Sequence, residues 1–309
     1  MITILMATYQ GAAYLAQQID SILSQTYWDW QLFISDDLSS DNTREIIASY
    51  TNQYPKKIFE WKNQTASGGA EFHFFKMISR LKDAQYVAFC DQDDIWLPNK
   101  LMDTFKKMQQ LETQLGNNTP ILVHSDLKVV DKDLNIIHNS FFSFQNISPE
   151  RTKLRHYLVQ NNITGCTMLI NQSLLQKIDY IPSVCTMHDW WIALIASCFG
   201  KIDVVSKPLV LYRQHQNNQV GAKNAHSASF LLNKFRNRKV VQQNYQKMFA
   251  QAQLFLQHYR AQLSTEQIHI LEEFLKIPHQ NRFKKAQIII QNQFYKNSFA
   301  RTFGQFFSI

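Results

Sequence analysis

The first 115 residues alternate between short apolar runs and longer segments whose apolar residues recur at helical spacing. The short runs predict buried strands, at residues 2–7, 31–35, 57–61 and 86–90. The longer segments predict helices, at 14–23, 43–54, 70–81 and 98–115. This β–α alternation is typical of an α/β fold with a mostly parallel sheet and helices on both faces.

The pattern changes after Pro120 and again near residue 222. Further strands are predicted at 121–125, 127–130, 167–170, 201–205 and 209–213, with helices at 149–158 and 188–199. From about His226 the chain reads as all-helical, and no glycine occurs between Gly221 and Gly304. We therefore predict an α/β domain over residues 1–222 and a helical extension over 223–309.

Polar side chains follow three of the first four predicted strands. They are Thr8 after the first, Asp36 and Asp37 after the second, and Asp91, Asp93 and Asp94 after the fourth. In open α/β sheets this edge is where ligands bind. Carboxylates this close repel unless a cation compensates, and a divalent ion carrying a diphosphate would do so. The alternative is a solvated acidic turn that caps the next helix.

Some function classes lack their sequence signals. No Gly-x-Gly-x-x-Gly follows the first strand, and no Gly-x-x-x-x-Gly-Lys-Ser/Thr occurs. A bound nucleotide would therefore be held by carboxylates and a metal. The four cysteines are far apart, which favours reduced thiols. With no leader peptide and no apolar run near 18 residues, the expected location is cytoplasmic.

The net charge of +8 is concentrated at the end of the chain. Residues 221–309 hold 13 Lys and Arg against 3 Asp and Glu, whereas residues 1–220 hold 19 against 21. A basic amphipathic tail can lie on an anionic membrane surface, which here means the inner face of the cell membrane. The alternative is a helical bundle packed on the body with a solvated basic face. No nucleic-acid module is recognisable, so no nucleic-acid partner is expected.

Six motifs follow one another at suitable spacing over residues 1–221. They are Ala7-Thr8-Tyr9-Gln10-Gly11, Ser35-Asp36-Asp37-Leu38-Ser39-Ser40-Asp41, Asp91-Gln92-Asp93-Asp94-Ile95-Trp96, Thr164-Gly165-Cys166-Thr167-Met168, His188-Asp189-Trp190-Trp191 and Tyr212-Arg213-Gln214-His215-Gln216-Asn217-Asn218. Each alone is weak, but together they closely resemble glycosyltransferase family 2. These are inverting enzymes of GT-A fold, and the motifs are most similar to the bacterial rhamnosyltransferase-like branch.

The resemblance implies that the first two turns hold the base and ribose of a nucleotide, through Thr8, Tyr9, Asp36 and Asp37. A carboxylate can accept a hydrogen bond from a pyrimidine N–H, and a tyrosine ring can stack on a base. Core packing is the alternative for Tyr9, and a turn or cap role is the alternative for Asp36.

The resemblance also implies a Mg²⁺ or Mn²⁺ site at the Asp-x-Asp string. Asp93 is the better metal ligand, Asp91 reaches the ribose or the metal, and Asp94 could cap the next helix. His215 would approach the metal or diphosphate, unless it is a surface histidine, and Arg213 could pair with phosphate. Many relatives carry Gln-x-x-Arg-Trp in this region, whereas this chain carries Tyr212-Arg213-Gln214-His215. This difference leaves the role of Arg213 open.

Asp189 is the expected catalytic base on the acceptor side. A single carboxylate there can take the proton of the attacking hydroxyl. Gly165, His188, Trp190 and Trp191 are the expected acceptor-side residues. Trp190 and Trp191 could present flat faces to sugar rings, His188 could tune Asp189 or merely pack, and Gly165 permits close backbone approach. The alternative is that Asp189 caps its helix while the tryptophans belong to the core.

The predicted function is inverting, metal-dependent sugar transfer from a nucleotide-diphosphate donor, with dTDP-L-rhamnose favoured. The acceptor is a growing bacterial cell-surface polysaccharide or a lipid-linked glycan. The alternatives are a UDP-hexose donor, nucleotidyl transfer to a sugar phosphate, and a nucleotide- or glycan-binding protein without catalysis.

Overall fold

The computed structural model describes residues 1–81, 83–215 and 238–308. The predicted boundary at 222 and the motif residues 216–218 lie outside these ranges. The strands are β1 Ile2–Thr8, β2 Trp30–Asp36, β3 Ile58–Glu60, β4 Tyr86–Cys90, β5 Ile95–Trp96, β6 Ile121–Val130, β7 Ile136–His138, β8 Leu169–Asn171 and β9 Lys201–Arg213. The helices are α1 Leu15–Leu23, α2 Thr43–Gln53, α3 Ala70–Ile78, α4 Lys100–Leu115, α5 Phe141–Gln145, α6 Leu154–Tyr157, α7 Gln172–Lys177, α8 His188–Phe199, α9 Arg238–Tyr259, α10 Thr265–Lys276, α11 Arg282–Gln291 and α12 Phe299–Ser308.

One mixed sheet runs in the order β3-β2-β1-β4-β8-β6-β9-β5, and β7 pairs with β6. The α/β prediction is confirmed, and the first four strands along this order are parallel. Strand β8 then runs antiparallel to both β4 and β6, with Ala88 opposite Leu169. The residues just before Leu169 therefore lie beside the carboxyl end of β4, next to the acidic turn.

Several element boundaries differ from the sequence-based expectation. Residues 201–213 form one strand, β9, whose pairing with β6 shifts register around Asp126 and so accommodates Pro208. The helix predicted over 149–158 shortens to α6. Helix α4 begins at Lys100, because the Pro98 carbonyl is taken by the Thr26 amide instead of starting the helix.

The core covers both faces of the sheet. Ile4 and Met6 of β1 belong to one buried cluster and Leu5 to the other, as the two-residue period of a strand requires. Side chains of α9 complete the second cluster, in which Phe255 and Tyr259 pack with residues of α8. The helical extension thus shares a core with the α/β body, so the bundle alternative describes this part of the tail.

Among the residues that the structure describes, no helix combines the length and apolar character needed to cross a bilayer.

Candidate active site

The turn after β2 is held by Asp36. Its Oδ1 accepts from the hydroxyls of Thr8 (3.0 Å) and Ser39 (2.6 Å), and its Oδ2 accepts from the Ser39 amide (2.8 Å) and Arg44 Nε (3.2 Å). Thr8 and Asp36 are both buried. These contacts occupy the Asp36 carboxylate and the Thr8 hydroxyl proton. Asp36 therefore has the turn role, and direct nucleotide contact through Thr8 and Asp36 stays a prediction.

Tyr9 and Asp37 lie beside this turn, and both are at least partly exposed, so a ligand could contact them. The Tyr9 side chain is 58% exposed, so the core-packing alternative is wrong. Its backbone exchanges two 2.9 Å hydrogen bonds with the Gln92 side chain, which joins the first turn to the acidic turn. Asp37 Oδ1 accepts from the Ser67 amide at 2.8 Å, and Asp37 is half-buried. Gln92 was not singled out from the sequence, although its place between Asp91 and Asp93 was the available signal.

The acidic turn follows β4 and contains carboxylates in different surroundings. Asp94 is fully buried, and its Oδ1 accepts from the Arg213 amide at 3.1 Å, so the helix-capping expectation is wrong. Burial, and next the charges of Asp93 and Asp189, raise the pKa of Asp91 to about 7. Ligand atoms of Asp91 and Cys166 lie within 4.8 Å of each other, and the amide of Gly165, the residue before Cys166, donates to Asp189 Oδ2 at 3.0 Å. The acidic turn and the predicted base therefore lie close together.

Asp189 lies in the first turn of α8, but it does not cap that helix. The cap position is Met187, and the Asp189 oxygens accept from other segments. Oδ1 accepts from Asn161 Nδ2 at 2.9 Å, and Oδ2 accepts from the Gly165 amide at 3.0 Å. Burial raises the pKa of Asp189 to about 7, although these donors oppose the rise. A carboxylate with this pKa can exchange a proton near neutral pH.

Gly165 permits this arrangement by its lack of a side chain. A Cβ there would lie 2.9 Å from His188 Nε2, closer than real Cβ contacts allow. The close approach predicted for Gly165 is present, and it is made to His188 and Asp189.

His188 and Trp191 are core residues, and their predicted contacts with an acceptor sugar are corrected. The His188 ring packs on Phe74 with 4.1 Å between centroids, and neither ring nitrogen has a hydrogen-bond partner in the described ranges. Burial lowers the pKa of His188 to about 3, so the ring is neutral. Trp191 is fully buried against Phe255 and Tyr259.

Trp190 is partly buried, and its indole N–H donates to the Tyr157 carbonyl. One edge of this ring is thus fixed, while part of its surface remains accessible, and its contact with a sugar stays a prediction.

Arg213 holds the acidic turn in place by hydrogen bonds. Its guanidinium is directed to protein acceptors, so its predicted role as a phosphate ligand is corrected. Its guanidinium donates to the carbonyls of Asp93 (2.8 Å) and Lys132 (2.7 Å) and to Gln17 Oε1 (2.7 Å). The side chain is buried, and its guanidinium carbon lies 4.6 Å from the Tyr14 ring centroid. These contacts turn the guanidinium toward protein acceptors.

His215 and Asp93 are brought together as the resemblance implied. His215 Nε2 lies 2.8 Å from Asp93 Oδ2, and its ring stacks on Tyr14 at 4.9 Å. The alternative of a solvated surface histidine is therefore wrong.

Lys100 is a buried cation that the sequence analysis did not single out. Its side chain is fully buried, with Nζ 3.5 Å from the centroid of the Trp96 ring. Burial lowers the pKa of Lys100 to about 8, while the nearby thiols of Cys90 and Cys166 and the Asp94 carboxylate oppose this fall. A lysine at the first position of a helix opposes the helix dipole, which was the available signal.

The carboxylate set fits a hard divalent cation. Ligand atoms of Asp91, Asp94 and Cys166 lie within 4.8 Å of one another. Burial raises the pKa of the Cys166 thiol well above its usual value, and Mg²⁺ and Mn²⁺ prefer oxygen ligands to thiols. Within this cluster the oxygens of Asp91 and Asp94 are therefore better candidates than the Cys166 sulfur. Asp93, the ligand implied by the resemblance, lies beside His215, and its role as a ligand stays a prediction.

Sequence comparison assigns the family. The profile described as Glycosyl transferase family 2 matches residues 3–178. The chain is 30% identical over 238 residues to the dTDP-rhamnosyl transferase RfbG of Shigella flexneri, covering 73% of this chain and 76% of RfbG. It is 26% identical over 180 residues to the UDP-Glc:alpha-D-GlcNAc-diphosphoundecaprenol beta-1,3-glucosyltransferase WfgD of Escherichia coli, covering 58% of this chain and 64% of WfgD. The chain belongs to glycosyl transferase family 2 and is a glycosyltransferase that uses a nucleotide sugar.

Structural comparison identifies the fold as GT-A. The structure of S. aureus TarS residues 1–349 in complex with UDP-GlcNAc matches with a TM-score of 0.60 at 17% identity, covering 89% of this chain and 70% of that one. The mannosyltransferase PcManGT from Pyrobaculum calidifontis, in complex with GDP-Man and Mn²⁺, matches with a TM-score of 0.53 at 15% identity, covering 94% and 73%.

Proposed function

We propose that this glycosyltransferase inverts the anomeric centre of a nucleotide-diphosphate sugar as it transfers the sugar to a growing bacterial cell-surface polysaccharide or a lipid-linked glycan. The observation that carries the proposal is the proximity of Asp189 to the acidic turn. The Gly165 amide donates to Asp189 Oδ2, and the side chain of the next residue, Cys166, lies within 4.8 Å of an Asp91 oxygen. In the proposed cleft between them, Asp189 serves the sugar acceptor and the acidic turn serves the nucleotide-sugar donor.

Asp189 is the base in this proposal. The acceptor hydroxyl attacks the anomeric carbon and gives its proton to an Asp189 oxygen. A new C–O bond forms as the bond from the anomeric carbon to the diphosphate oxygen breaks, and the nucleoside diphosphate leaves with that electron pair. This single displacement needs one base, unlike glycoside hydrolysis with its two carboxylates. The Asn161 and Gly165 donors hold the base in position.

The donor side is assigned to the turns after β1, β2 and β4. The exposed Tyr9 ring can stack on the base, and Asp37 can accept from a base N–H. Asp91 and Asp93, with His215, would hold Mg²⁺ or Mn²⁺, and a bound ion offsets the charge that develops on the leaving diphosphate. Arg213 keeps the Asp93 carbonyl, and with it this turn, in place.

The favoured donor is dTDP-L-rhamnose. The motif resemblance and the similarity to RfbG, a dTDP-rhamnosyl transferase, support this choice, whereas the similarity to WfgD, a UDP-Glc-dependent glucosyltransferase, favours a UDP-hexose as the second candidate. We propose that the protein works at the inner face of the cell membrane, where a lipid-linked acceptor would be presented. The division at residue 222 stays a prediction.

A donor screen tests the proposal. Thermal shifts with Mn²⁺ and dTDP-, UDP- and GDP-sugars should be largest for dTDP-L-rhamnose. Turnover should then release the nucleoside diphosphate. Release of pyrophosphate would instead indicate nucleotidyl transfer, and binding without turnover of any donor would indicate a non-catalytic protein. A larger shift with a UDP-hexose would leave the reaction class intact and overturn the donor.

A further inference from the structure

We propose that one face of α11, formed by Arg282, Phe283, Lys284 and Ile290, docks on an anionic lipid surface. This lipid-docking face would place the acceptor side of the cleft next to the membrane. The inference rests on the proposed function in one respect, namely that the acceptor is lipid-linked.

Helix α11 exposes apolar side chains where solvent-facing polar ones are expected. Phe283 is 91% exposed and Ile290 is 55% exposed. They are seven residues apart, which places them on the same side of the helix, about 10 Å apart along its axis. Ile289, about 100° around the helix from Ile290, is fully buried in the core that includes α10. The helix is thus fixed on the body while its outer side stays apolar.

The segment of chain that carries this face holds charge of a single sign. Residues 274–309 hold six Lys and Arg and no Asp or Glu. Arg282 and Lys284 flank Phe283 and are exposed. An aromatic and an aliphatic side chain between exposed cations is the composition that binds an interface of anionic lipids. A second copy of this face would meet it with like charge, which disfavours self-association.

The lipid-docking face is joined to the catalytic side by a short stretch of chain. Six residues after α11 ends, the Asn297 amide donates to Gln160 Oε1 at 3.0 Å, and Asn297 Oδ1 accepts from the Ser148 amide at 2.9 Å. Gln160 precedes Asn161, whose side chain donates to Asp189. A membrane bound at α11 would therefore be connected, through this stretch, to the segment that positions Asp189.

Sedimentation with vesicles tests this face on the full-length protein. We expect wild type to pellet with vesicles of mixed phosphatidylcholine and phosphatidylglycerol, less so at high salt, and not with phosphatidylcholine alone. Phe283→Ser with Ile290→Ser should weaken binding at least tenfold, and Arg282→Gln with Lys284→Gln by roughly fivefold per charge. Trp28→Ser, at a 76% exposed tryptophan of the body, is the matched control and should bind like wild type.

Three results would overturn the inference. They are failure of wild type to pellet with the anionic vesicles, equal pelleting of the Phe283→Ser Ile290→Ser variant, and an oligomer in gel filtration that this variant abolishes, which would make a second copy the occupant. Unfolding temperatures of the variants should match wild type, since the changed side chains are exposed.

Nucleoside diphosphate release in the absence of vesicles separates this inference from the proposed function. The surface variants should keep the wild-type rate. Pelleting without any donor turnover would contradict the transferase proposal and leave the lipid-docking face standing.

Discussion

Replacing Asn161 with alanine should shift the pH dependence of the reaction without removing the base. Asn161 Nδ2 donates to Asp189 Oδ1 at 2.9 Å, and this hydrogen bond helps to lower the pKa of Asp189 from the value that burial alone would set. In Asn161→Ala the ionised form of Asp189 loses this hydrogen-bond donor. The pKa of Asp189 should therefore rise above about 7.

The size of the effect follows from the strength of one hydrogen bond to a charged group, about 1.5–3 kcal/mol. Since one pKa unit corresponds to about 1.4 kcal/mol, the expected rise is roughly 1–2 units. A base must be deprotonated to act, so the acidic limb of kcat/KM should move to higher pH by the same amount. At pH 7 the rate should fall about fivefold or more, and raising the pH should recover much of it.

The assay is nucleoside diphosphate release across pH 5.5–9.5 at saturating metal. The matched control is Asn162→Ala, because Asn162 donates to the carbonyls of Ser148 and Arg151 and not to Asp189. This control should lose stability, but its acidic limb of kcat/KM should stay at the wild-type pH. The assigned role of Asn161 would be refuted if the acidic limb of Asn161→Ala stayed at the wild-type pH, or if the control moved the limb equally.

Three further substitutions test the packing around the site. Gly165→Ala places a Cβ 2.9 Å from His188 Nε2, so we expect kcat to fall more than donor affinity; unchanged kcat would show that the clash relaxes harmlessly. Trp191→Ala should cost about 3–5 kcal/mol in the free energy of unfolding, whereas a raised acceptor KM at wild-type stability would restore its sugar-binding role. Lys100→Met removes a cation whose pKa the Asp94 charge influences. The loss in unfolding temperature should therefore shrink as the pH falls and Asp94 protonates, and a loss independent of pH would contradict this electrostatic coupling.

The clustering of the first polar turns could be predicted from sequence because the carboxyl ends of parallel strands meet at one edge. Strands β1, β2 and β4 are parallel, so the turns that carry Tyr9, Asp37 and Asp91 come together. The approach of Gly165 to the acidic turn depends instead on β8, which runs antiparallel beside β4. No local pattern specifies that pairing.

Side-chain roles were predicted less well where burial depends on distant segments. Trp191 at the start of a helix could face a sugar or a core, and the choice is made by α9, which begins 47 residues later at Arg238. Arg213 was expected to meet phosphate because arginine commonly does. Its position at the end of a buried strand instead directs the guanidinium to carbonyls of neighbouring turns.

Donor turnover by Asp189→Asn tests the central claim most directly. Nucleoside diphosphate release would be measured with metal and acceptor present, beside wild type and an Asp133→Asn control at an exposed carboxylate. We predict a fall of roughly 10²–10⁴-fold for Asp189→Asn, with the donor-induced thermal shift retained and the control unchanged. Turnover near the wild-type rate would contradict the assignment of Asp189 as the base.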